Sequence, residues 1–129
     1  MHILLKSRVL PVSVLALRIA YGAALIVAPE RLARRWLGPA AAGGPTQVPL
    51  RALGAREVLL HAGGVAAAVH GKPLAPWFAA SIAGDLTDIA ATIAARRELP
   101  GRAPALTALV AGGSALVSAS ALRAQQGRG

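Results

Sequence analysis

The chain contains no cysteine. Disulfides, thiolate catalysis, iron–sulfur ligation and cysteine-based zinc sites are therefore excluded, and the redox state of its compartment is left open. Aromatic side chains are almost as scarce: Trp36, Trp77, Tyr21 and Phe78 make up 3% of the 129 residues. Single-stranded nucleic acids are held on stacked aromatic rings as well as on positive charge. A formal charge of +9 without those rings does not define a nucleic-acid surface, and no nucleic-acid partner is expected. No serine lies in a G-x-S-x-G turn, so serine catalysis has no support. Gly63-Gly64 and Gly112-Gly113 sit inside apolar segments and read as packing contacts rather than a phosphate-binding loop. Negative charge is the third scarcity, with five acidic residues against 14 Lys and Arg.

What the chain has in abundance is Ala, Leu, Val and Gly. It is 55% hydrophobic with a mean hydropathy of +0.56, too apolar for a small soluble domain that must cover a large surface with polar groups. Apolar segments occupy about 9–28, 52–70, 75–95 and 104–122, each close to the ~20 residues that cross a bilayer. Lys6 and Arg8 precede the first segment as they would in a signal peptide, but the apolar run is long and lacks a small-x-small cleavage site. It reads as a retained spanning helix. Glu30 to Leu37 places Leu and Trp on one helical face and Arg on the other, which suits a short helix in the headgroup region or a continuation of the first helix. Residues 38–50, rich in Gly and Pro, read as the one long loop. Tight connections after the second and third segments require antiparallel neighbours. The expected fold is all-α: one domain, 1–129, forming an up-down four-helix transmembrane bundle. Basic residues gather at segment ends, where lipid headgroups meet them. Arg31, Arg34, Arg35, Arg51, Arg96, Arg97 and Arg102 fall in the first and third connections. Lys6, Arg8, Lys72, Arg123 and Arg128 fall on the opposite side. The bias places both termini outside the cytoplasm.

Against this background the acids are informative. Glu57, Asp85 and Asp88, with Arg18 and Arg56, lie inside apolar segments. Each costs roughly 2.5–3.5 kcal/mol at a helix centre, on the order of 12–17 kcal/mol together. Such residues face a bundle interior, pair with one another and mark a site. Helical spacing gathers them into stripes: Arg18, Tyr21 and Gly22; Gly54, Glu57, His61 and Gly64; Ser81, Gly84, Asp85, Asp88 and Thr92; Thr107, Ala111, Ser114 and Ser118. At 1.5 Å rise per residue the charges occupy one thin slab displaced toward the first connection. Arg51, bent inward, would balance three positive against three negative charges.

Two readings follow. One is a polar pocket that binds a small amphipathic ligand, with Glu57, Asp85 and Asp88 on its acidic side, Arg18 and Arg56 on its basic side, and His61 and Tyr21 adjusting protonation. The other is a neutral ion-pair network that only fixes helix register. Asp85 and Asp88, one turn apart, would share a proton unless an arginine stands between them. An acid–base enzyme of isomerase or cyclase type acting on a lipid-soluble substrate is a further possibility, as is an accessory subunit whose charges pair with a partner's helices. D-x-x-D with Glu57 and His61 has the donor types of a metal site, but three nearby arginines oppose one. No metal and no cofactor is expected. His2 and His70, at segment ends, read as solvent or headgroup contacts.

Leu17-Arg18 followed by Gly22 in a first apolar helix resembles the opening of DoxX-like small membrane proteins. The run Arg51-Ala-Leu-Gly54-Ala-Arg56-Glu57 is similar to the start of the second helix in small four-helix proteins of high-GC bacteria. The resemblance implies a four-helix integral membrane fold in the bacterial inner membrane, with membrane lipids as partners. It also admits a homo-oligomer or a larger membrane complex. Some DoxX-like proteins are subunits of quinone-linked oxidoreductases. A quinone is therefore one candidate amphiphile, although no distinct quinone motif accompanies the resemblance.

Overall fold

In the computed structural model residues 2–126 are described, with side chains from residue 8 onward. The side chains of His2 and Lys6, and Arg128 altogether, lie outside them. The described residues are helical throughout, without a strand: α1 (His2–Val27), α2 (Pro29–Leu37), α3 (Gly44–Val69), α4 (Ala75–Ala94) and α5 (Ala103–Gln126), with 3-10 turns at Gly38–Ala42 and Arg96–Glu98. Proline opens four of these helices, as Pro29, Pro45, Pro76 and Pro104. There its missing N–H goes unnoticed and its fixed φ is already helical. Ala28, at φ −135° and ψ 59°, breaks the chain between α1 and α2. The Arg-rich segment is therefore a separate short helix and not an extension of the first. Gly38 and Gly71 take φ of +65° and +66° in the turns that follow α2 and α3, a conformation glycine adopts without steric cost.

One sequence expectation needs correction. Residues 38–50 are not a loop: they form a 3-10 turn and the first two turns of α3, which Pro45 opens in the first turn, where proline is tolerated, and which continues through Pro49 inside the helix. The third expected span, 75–95, is the helix α4. Three helices, Arg8–Val27, Gly44–Val69 and Ala103–Gln126, are long and apolar enough to cross a membrane, and α4 is not among them. Its Ser81, Asp85, Thr87, Asp88 and Thr92 dilute an otherwise apolar helix. The three long helices mark the chain as a helical membrane protein. So do large apolar side chains turned outward, among them Leu59, Val69 and Leu116, each more than 70% exposed.

The closest packing joins α1 to α3, which run antiparallel. Arg8 Nη1 donates to the Ala68 carbonyl at one end (2.7 Å), and Arg51 Nη1 donates to the Ile26 carbonyl at the other (2.8 Å). Between them Gly22 and Gly54 face each other, and a Cβ built on either would stand 2.6 Å from the other's carbonyl oxygen. Backbones approach this closely only through the smallest residues, which is how helices pack in lipid. On the side toward the start of α1 and the end of α3, Val14, Leu15, Ala67, Leu74, Phe78 and Ala121 form a closed apolar core. On the other side a smaller cluster of Ala33, Ala41 and Leu50, with Trp36 and Leu37 against it, seats α2 and its following turn on α3.

Candidate functional site

The sequence stripes become the inward faces. Gly54, Glu57, His61 and Gly64 are buried on α3, and Ser81, Asp85 and Thr92 on α4. Where these faces meet α1, Arg18 reaches between them. Its Nη1 and Nη2 donate to the two carboxylate oxygens of Asp85 at 2.7 and 2.6 Å. This is the paired, parallel geometry in which a guanidinium and a carboxylate bind most strongly. Nε and Nη2 donate to Glu57 at 3.2 and 3.4 Å. One arginine thus ties α1 to α3 and α4, with side chains only 12% exposed for Arg18 and 5% for each acid. Each aspartate faces an arginine of its own, Asp85 with Arg18 and Asp88 with Arg56. Arg56 lies across Gly84, 3.4 Å from Asp88 Oδ2 and 3.6 Å from Glu57 Oε1.

His61 is fully buried one turn below this cluster. Its Nδ1 stands 2.6 Å from the Glu57 carbonyl, which can only accept, so Nδ1 carries the hydrogen. In the neutral ring Nε2 then accepts from the Ser81 hydroxyl, and both nitrogens are satisfied. His61 is a bridge between α3 and α4. A neighbouring polar link joins α4 to α5: Thr107 Oγ1 donates to Thr92 Oγ1 (3.1 Å), which itself donates to the Asp88 carbonyl (2.8 Å).

Above the Arg18 cluster, toward α2, lies a cavity of about 450 Å³, within the range of small-molecule sites. Arg18, Glu57, Asp85 and Asp88 form its floor, and Tyr21 stands beside them. Leu17, Leu32, Leu53, Leu106 and Val110 supply apolar walls, with Thr107, Ala111 and Ser114 along α5. Arg35 and Trp36 of α2 close its upper side. Leu17 and Val110 are 72% and 52% exposed on the outer surface, so the cavity opens sideways between α1 and α5.

Of the seven residues expected at the site, Arg18, Tyr21, Glu57, Asp85 and Asp88 line this cavity, and Arg56 and His61 do not. Arg56 sits outside it, half-exposed over Gly84, and His61 lies beneath. Arg51 does not bend into the charged slab, because it caps the carbonyl end of α1. The second positive charge at the cavity, beside Arg18, is Arg35 of α2. The contribution of α2 was missed, although the Leu and Trp face of that helix was the signal that could have found it. Among the described residues no group of three or more His, Asp or Glu is placed to hold a metal ion. Comparison with protein-family models, curated proteins and solved structures gives no match.

Proposed function

We propose that the protein is a small integral membrane protein of the bacterial inner membrane that binds an amphipathic ligand in the cavity above Arg18, alone or as an accessory subunit of a membrane complex. In this reading α1, α3, α4 and α5 all cross as an up-down four-helix bundle of DoxX-like layout, with both termini outside the cytoplasm. The ion pairs of Arg18 and Arg56 carry α4 through the bilayer despite its two aspartates. The observation that supports the reading best is the cavity itself. A network serving only helix register would collapse onto its own pairs, whereas here a charged floor carries about 450 Å³ of open space with apolar walls. An acid–base enzyme on a lipid-soluble substrate would occupy the same space. That each floor carboxylate stands within 4 Å of an arginine favours holding a ligand over moving a proton.

The test is direct. Protein purified in mild detergent is extracted and the extract analysed by mass spectrometry, beside a Val110→Phe variant that fills the cavity. A stoichiometric amphiphile present with the native chain and depleted in the variant is the expected result. Equal recovery from both proteins would remove the cavity as the binding site. Because the chain has no cysteine, single cysteines at Lys72 and Arg97 test the topology, and labelling of both from the same side would overturn it.

A further inference from the structure

The cavity's floor and its upper side differ in what they leave free. On the floor the one guanidinium, that of Arg18, is engaged, as is that of Arg56 just outside. The fork of Arg18 is filled by Asp85 and Glu57, and Arg56 faces Asp88 and Glu57. On the upper side Arg35 lines the cavity, is exposed, and has no acidic partner among the described residues. Its neighbour Arg34 is already paired with Glu30. In the same wall the buried indole N–H of Trp36 also lacks an acceptor. Donors therefore exceed acceptors at this end of the cavity.

The surroundings have the same sign. The first and third connections meet here, since Arg102 Nε donates to the Arg35 carbonyl and Gly38 approaches the Pro100 ring. That contact sets Arg102 beside Arg35, and Arg31, Arg51, Arg96 and Arg97, from the same connections and the start of α3, are exposed as well, a basic collar at this end of the molecule. Such a collar attracts anions and repels cations over roughly a Debye length. A cationic head would have to pass it and then displace an arginine from its carboxylate. An anionic head meets unfilled donors at once.

We infer that the cavity takes a single-chain amphiphile with an anionic head, carboxylate or phosphate, held at Arg35 with its chain along Leu17, Leu53, Leu106 and Val110. This rests on the ligand-binding reading above and adds the charge class of the ligand. The volume favours one chain, because about 450 Å³ lies in the lower part of the small-molecule range.

Trp36 supplies the readout, since the chain has two tryptophans and a Trp77→Phe variant leaves the one in the cavity wall. In micelles, bromine-labelled long-chain fatty acid, the fatty alcohol of equal length and bromine-labelled phosphatidylglycerol are compared as quenchers of Trp36. The acid is expected to quench about fivefold or more tightly than the alcohol. Arg35→Gln should abolish that preference while the alcohol still binds, and Arg34→Gln should leave it intact. Tighter quenching by phosphatidylglycerol than by the acid keeps Arg35 as the anion site but overturns the single-chain assignment. Equal quenching by acid and alcohol, or a preference lost equally in Arg34→Gln, overturns the charge assignment and leaves the cavity as a binding site. If no quencher reaches Trp36, the ligand-binding reading falls as well. Native mass spectrometry of the wild-type chain with acid or alcohol, against Arg35→Gln, gives the same comparison if Trp77→Phe does not fold.

Discussion

The two halves of this molecule use the same apolar side chains to opposite ends. On one side of the Arg18 cluster, Leu15, Leu74 and Phe78 are at most 1% exposed and leave no space among themselves. On the other, Leu17, Leu53, Leu106 and Val110 surround a void. Composition does not separate the halves, but two placements do. Phe78, the chain's one phenylalanine, is in the closed half, where a large ring fills the space between helices. In the open half α5 turns Ala111 and Ser114 inward, and α2 lies across the top without descending between the others. The ion pairs mark the boundary, because Arg18 ties α1 to α3 and α4 through Glu57 and Asp85. Empty space in a small helical protein can thus arise from where large and small side chains are set and from a helix laid across one end.

The comparison can be broken most severely at the boundary. Asp85→Ala leaves Arg18 buried beside Glu57 alone, and loss of one partner of a buried pair costs about 3–5 kcal/mol. Unfolding in mixed micelles would measure it, and a loss under about 1 kcal/mol would show that the pair does not hold the helices together. Next comes a matched pair of enlargements. Leu15→Phe in the closed half should destabilise by about 1–3 kcal/mol through overpacking. Val110→Phe, growing into the cavity, should cost less than about 1 kcal/mol. Equal costs would mean that both halves are packed alike. The smallest effect belongs to Asp88→Asn. Asp88 is 30% exposed and 3.4 Å from Arg56, so its loss should stay within about 1 kcal/mol in the same assay.

The inward faces could be read from spacing. Gly54, Glu57, His61 and Gly64 recur at steps of three and four and are all buried, because a helix's own period fixes which residues share a side. The slab of charge could be read for the same reason, through the constant rise per residue. Spacing does not say what a long side chain reaches once helices are placed. Arg51 was expected inward and instead caps Ile26, whereas Arg35 was expected among headgroups and borders the cavity. Both outcomes follow from the break at Ala28, which folds α2 back over the bundle. A single backbone torsion leaves no periodic trace in the sequence, and the cavity follows from it.

The facing glycines of α1 and α3 bear on how kindred chains could be recognised. Positions facing lipid accept any apolar residue, so most of this sequence can drift without cost to the fold. Gly22 and Gly54 cannot, since even a methyl group would strike the opposite backbone. Arg18, Glu57 and Asp85 are bound to them by reach, because the seam's closeness is what lets one guanidinium span both acids. A chain with little overall likeness to this one should still carry R-x-x-x-G in its first helix, G-x-x-E in the next long one and an aspartate in the helix after that. Those few letters are a better search key than the hundred-odd residues around them.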